Sequence, residues 1–86
     1  MISEFAVILS ENAVIQLNGL PKEIQQIIAN RLTAAKIQPF HFFIRLKNRT
    51  DYKMRCGDYR AIADIDSHER RIFVTKVGHR RDVYEQ

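Results

Sequence analysis

Two basic residues, Lys53 and Arg55, stand two positions apart just before a Gly57-Asp58 pair, and Tyr59-Arg60-Ala61-Ile62 follows it. A two-residue loop with glycine first suits a type II′ hairpin turn, because glycine accepts the positive φ required at the first turn position. Such a turn fixes the register: Cys56 faces Tyr59, Arg55 faces Arg60, and Lys53 faces Ile62. Side chains alternate faces along a strand, so Lys53, Arg55 and Arg60 share one face while Tyr52, Met54 and Cys56 point the other way. Like charges directly across a sheet cost stability. A sheet that accepts them on one face points to an anion held there.

The polar run Asp66-Ser67-His68-Glu69 marks a second turn. Folding back there is expected to bring Arg60 near Thr75 and Asp64 near Arg71. Tyr59, Ala61, Ala63, Ile65, Ile72 and Val74 would then form the core face, leaving the cations beside Ile62 and Phe73. Gly78 is expected to end the strand, and the tail from His79 to Tyr84 is close enough to fold over the cationic face.

Upstream, residues 2–9 are β-prone, with Phe5, Val7 and Leu9 on one face, and are expected to pair well inside the sheet. Ser10 is a natural N-cap for a helix through Asn18, with Ala13, Val14 and Leu17 as its apolar stripe. Gly19 breaks it. Pro21 opens a second helix, in which Leu20, Ile24, Ile27, Ile28, Leu32 and Ala35 recur with a period near 3.6. Pro39 is expected to end it. The segment from Phe40 to Asp51 reads as a short helix or an irregular connection sealing the core edge. Its phenylalanines beside Arg45, Lys47 and Arg49 read as core, with base stacking the alternative. The fold expected is α+β: an antiparallel-rich sheet against an N-terminal helical hairpin, β-α-α-β-β-β plus a short C-terminal tail.

Eighty-six residues suggest one domain spanning 1–86. No apolar run approaches the roughly 20 residues of a membrane-spanning helix, and the Met-Ile-Ser-Glu start has no early basic cluster, so neither membrane nor secretion is expected. The single Cys56 excludes an internal disulfide and a cysteine-based zinc cluster, and fits a reducing cytoplasm as a small buried side chain. His41, His68 and His79 lack metal-ligand spacing, and the three glycines form no phosphate-binding loop. Neither a metal nor a cofactor is expected. The net charge is +4, and of the 14 Lys and Arg residues only Lys22, Arg31 and Lys36 precede residue 45. A basic half of this kind points to a polyanion, with nucleic acid the first candidate.

RNA brings its own nucleophile, the 2′-OH, so cleavage requires removing that proton, stabilising a dianionic phosphorane and protonating the leaving 5′-oxygen. Lys53, Arg55 and Arg60 suit the middle task, arginine by forking across two phosphate oxygens. Tyr84 or His79 could transfer the proton. A tyrosine pKa of about 10 is high for a base, but neighbouring cations favour the phenolate. Tyr84 read structurally is instead an aromatic anchor for the tail.

The run YKMRCGDYRAIADID followed by VGHRRDVY resembles the RelE toxins of the RelE/ParE superfamily, most strongly from Leu46 to Tyr84, and the strand, helical hairpin and GLP pattern before it are also similar. The resemblance implies a ribosome-dependent endoribonuclease that cuts mRNA in the decoding site and is held inactive by a cognate antitoxin. It implies Tyr84 as general base, Lys53 helping to activate it, Arg55 and Arg60 stabilising the transition state, and Arg80 assisting the leaving oxygen. Arginine holds its proton too tightly to be an easy acid, so Arg80 is read as charge stabilisation and the acid stays open between His79 and Lys53. Lys47, Lys76, His79 and Arg81 are candidate contacts to mRNA and rRNA, joined by Arg45 and Arg71. Operator DNA would be met only through the antitoxin.

Three departures stand out. Ala63 replaces a frequent aromatic on the core face, Asn48 stands where the family usually has glycine, and only two residues follow Tyr84, so Tyr84 is expected to be mobile until RNA binds. Two other readings share these residues: a ParE-like gyrase inhibitor, and a non-catalytic module binding antitoxin and operator.

Overall fold

The computed structural model describes residues 3–83. In chain order the elements are β1 (Ala6–Leu9), α1 (Glu11–Asn18), α2 (Lys22–Ala35), α3 (Pro39–Phe42), β2 (Ile44–Arg45), β3 (Tyr52–Cys56), β4 (Tyr59–Asp66) and β5 (Arg71–His79). The sheet order is β1-β5-β4-β3-β2, with β1 parallel to β5 and every other pair antiparallel. The α+β class and antiparallel-rich sheet are as expected; α3 and the two-residue β2 are additions from the ambiguous stretch.

Strand β1 lies at an edge, not inside the sheet, because β5 separates it from β4. Its outward Ile8 is accordingly 42% exposed, whereas Val7 and Leu9 pack toward the core. Above Leu9 the free edge of β5 is closed by α1. The Ser10 hydroxyl accepts from the Ala13 amide at 3.0 Å as N-cap, and donates to the Thr75 carbonyl at 3.3 Å. One turn on, Gln16 Oε1 accepts from the Val77 amide at 2.8 Å. Helix α1 thus replaces the missing strand as hydrogen-bonding partner.

Helix α2 buries Ile28, Leu32 and Ala35 against the sheet. It stops at Ala35, short of Pro39, which instead occupies the first turn of α3, where its missing N–H costs nothing. Asn48 takes φ +61 in the turn after β2, the left-handed geometry that asparagine tolerates better than most residues.

The β3–β4 register matches the expectation at every position, and Gly57 has φ +62 at the turn. The β4–β5 register does not. Arg60 pairs with Gly78 rather than Thr75, and Asp64 with Phe73 rather than Arg71. Two local features cause the shift. Asp66 Oδ1 accepts from the His68 and Glu69 amides, both at 2.9 Å, and Arg70 takes φ +57, so the turn extends to residue 70. A bulge at Thr75 then separates the Ala63–Val74 and Ile62–Lys76 pairs. The extra residue reverses face parity, so Val74 and Val77 both enter the core while Lys76 and Gly78 turn outward. The strand continues through His79, beyond Gly78.

The main core lies between helices and sheet. A second, smaller cluster of Leu46, Ile62 and Val83 sits on the opposite, outer face. Among the described residues no helix is long and apolar enough to cross a membrane.

Candidate active site on the outer sheet face

The outer face is organised in rows by the ladder. Lys53, Ile62 and Lys76 are Cα partners across β3, β4 and β5; the next row is Arg55, Arg60 and Gly78. Rows two residues apart on a strand lie about 7 Å from one another, and neighbouring strands about 4.8 Å, so these cations cover a patch of phosphodiester dimensions. Beside it a cleft of about 350 Å³ is lined by Ile44, Arg45, Leu46, Lys47, Lys53 and Arg55. Lys47 reaches this cleft from the turn after β2, and the β5 bulge adds Lys76 to the row of Lys53.

Burial lowers the pKa of Lys53, and the charges of Arg55 and then Arg60 lower it further. Arg60 is likewise made less basic by burial first, then by Arg55 and Arg80. The sheet therefore holds positive charge at a cost that a bound anion would offset. Sequence reasoning missed a support beneath it: Arg31 of α2 donates from Nη1 to the Arg55 carbonyl at 2.8 Å, fixing the end of β3. Nothing in the helical pattern distinguishes this arginine from its solvated neighbours.

Arg55 contributes to the repulsion, which gives a direct expectation. Because the folded pKa of Lys53 is lowered from the ordinary 10.5, the repulsion acts in full at pH below that lowered value, where Lys53 carries its charge. It fades as pH rises through the lowered folded value and Lys53 loses its proton. Replacing Arg55→Gln is expected to raise stability at pH 7 by about 0.2–1 kcal/mol, with a smaller gain in alkali. Thermal melts at both pH values, at low salt, check this; destabilisation at pH 7 would contradict it.

The tail reaches the same region. The Arg80 amide donates to the Asp58 carbonyl at 2.8 Å, and its Nε lies 4.0 Å from Asp58 Oδ1. Arg81 is exposed. His79 is not brought to the cations: it pairs with Tyr59 on the core side, their rings edge-to-face at 5.3 Å. Its Nδ1 accepts from the Arg81 amide at 3.1 Å. Residues 80–83 are tied to the sheet by the Arg80 N–H to the Asp58 carbonyl and by Val83, which is buried on the outer face. Tyr84, and with it the mobility expected of it, lies outside the described residues. Among the described residues no three His, Cys, Asp or Glu side chains converge as a metal site would require.

A five-stranded mixed sheet with helices packed on one face is the fold shared with proteins solved in toxin–antitoxin complexes. The chain superposes on the archaeal RelE–RelB complex from Pyrococcus horikoshii with TM-score 0.79, at 23% identity over 93% of this chain and 99% of that one. It superposes on the RelBE2 toxin–antitoxin complex of Mycobacterium tuberculosis with TM-score 0.78, at 20% identity over 88% and 98%. The intact E. coli RelBE complex gives TM-score 0.76, at 18% identity over 87% and 95%. No curated protein matches the sequence. Residues 7–84 match the family described as the ParE toxin of type II toxin–antitoxin systems, parDE, and the chain belongs to that family, within the RelE/ParE superfamily.

Proposed function

We propose that this toxin is an endoribonuclease that cuts mRNA in the ribosomal decoding site. The observation that carries the reading is the cluster of Lys53, Arg55 and Arg60 on one sheet face, beside a cleft and with Lys53 and Arg60 made less basic. Arg55 and Arg60 fork onto the phosphate as charge builds on its oxygens. Tyr84 removes the 2′-OH proton, its phenolate favoured by these cations. Lys53 is the better candidate for the acid that protonates the 5′-oxygen: its proton is held less tightly than usual, whereas His79 lies on the other face against Tyr59. Arg80 adds charge near Arg60. Lys47, Lys76 and Arg81 contact flanking mRNA or rRNA phosphates. The RelB-bound neighbours support a cognate antitoxin, whose acidic segment would cover this face.

The family match favours a second reading, gyrase inhibition. That activity does not call for a general base. The two readings separate on induction of wild type and Tyr84→Phe in cells, with mRNA 5′ ends mapped on translated messages. The ribonuclease reading expects cuts inside reading frames that fall about 100-fold or more in Tyr84→Phe, the range for loss of a proton-transfer group. Growth arrest with intact mRNA and blocked supercoiling by purified gyrase would transfer the assignment to the second reading.

A further inference from the structure

Val83 is only 4% exposed although it packs on the outer face, away from the main core. Leu46 and Ile62 flank it, and Gly78 supplies the floor of its seat. A Cβ on Gly78 would lie 2.9 Å from Val83 Cγ2, closer than carbon atoms tolerate. Gly78 is also the Cα partner of Arg60, so the seat is cut into the cationic row itself.

Backbone bonds close the segment behind it. The His79 carbonyl accepts from the Asp82 amide at 2.8 Å and the Val83 amide at 3.1 Å, and the Arg80 amide ties the turn to Asp58 in the β3–β4 loop. Val83 itself packs on Ile62, whose Cα partners are Lys53 and Lys76.

We infer that the Gly78–Val83 contact is a positioning device: it plugs the tail into the cationic face and sets the point from which Tyr84 departs. Val83 touches no substrate in this scheme. Its catalytic consequence rests on the ribonuclease reading, whereas the seat itself does not. An ordinary packing residue would affect stability alone when trimmed; a positioning residue alters turnover of bound RNA.

The test uses the full-length chain as wild type, Val83→Ala, Gly78→Ala and the double variant. Gly78→Ala drives a methyl into Val83, and Val83→Ala empties the seat. In the double variant the new methyl occupies the space the valine gave up, so the two changes compensate rather than add. Each single change is expected to slow single-turnover cleavage on programmed ribosomes by about 10–100-fold, the scale of an ångström-level misplacement, with affinity for a 2′-deoxy substrate analogue within about threefold of wild type. The double variant should recover most of the rate. Hydrogen exchange at the Asp82 and Val83 amides reads the seat without catalysis: protected in wild type and the double variant, fast in the singles. Fast exchange in wild type, or single variants that exchange and cleave like wild type, overturns the inference. So does lost protection with unchanged turnover. If wild type cuts no RNA, the ribonuclease reading falls and the exchange pattern alone decides the seat.

Discussion

Arg60→Ala is expected to lower single-turnover mRNA cleavage on programmed ribosomes by about 10²–10³-fold, the cost of removing one preorganised donor from a developing oxyanion. Arg60 holds the central strand of the cationic face, with Arg55 as its partner on one side and Gly78 on the other. Gly78 adds no side chain of its own there, its place being taken by Val83, and burial, then Arg55 and Arg80, make Arg60 less basic than an ordinary arginine. On the ribonuclease reading its charge stands nearer the phosphate than that of Arg81, which projects from the tail. Arg60→Lys keeps the charge and loses the fork, so it should fall between wild type and alanine. Loss confined to affinity, with turnover of bound mRNA unchanged, would make Arg60 a docking residue. Loss below about threefold in both would remove it from the site.

The cationic face was legible because a two-residue turn leaves the chain one register. Once Gly57 took the positive φ, the faces of Lys53, Arg55 and Arg60 followed from alternation alone. The next hairpin was not legible for the same reason inverted. A four-residue polar run does not state where its turn closes, and the β5 bulge reverses parity without a sequence mark, since Thr75 is an ordinary strand residue. That bulge moves Lys76 and Gly78 onto the outer face, so both the place of Lys76 in the Lys53 row and the Val83 seat escaped the sequence. The edge position of β1 was also hidden. An alternating strand of apolar residues reads alike at an edge or in the centre, and here the free edge is covered by Ser10 and Gln16 of the next segment. Family resemblance supplied the role of Tyr84, which no spacing argument assigned.

Phe43→Ala is expected to destabilise the fold by about 3–5 kcal/mol, the usual cost of emptying a buried phenylalanine site. Small domains have about 5–15 kcal/mol in total, so the melting temperature should drop by about 12–40 °C. Phe43 is 1% exposed and is the largest of the fully buried side chains. It follows α3 with its amide bonded to the Pro39 carbonyl at 2.9 Å, and the chain then enters β2, where Ile44 pairs with Lys53. Leu46, three residues on, walls the Val83 seat. The cavity therefore loosens the segment that borders the site on two sides, and any cleavage activity should fall at temperatures below the melt. Phe40→Ala is the control: that ring is 52% exposed and contributes chiefly a tilted contact with Tyr52 at 5.6 Å, so its loss should cost about 0.5–1.5 kcal/mol. The two phenylalanines are three apart in a segment whose phenylalanines read as core from the sequence, which holds for Phe43 and not for Phe40. Denaturant melts of the pair decide between them: equal midpoints would mean that Phe43 does not fill the core, and with it would go the support of β2.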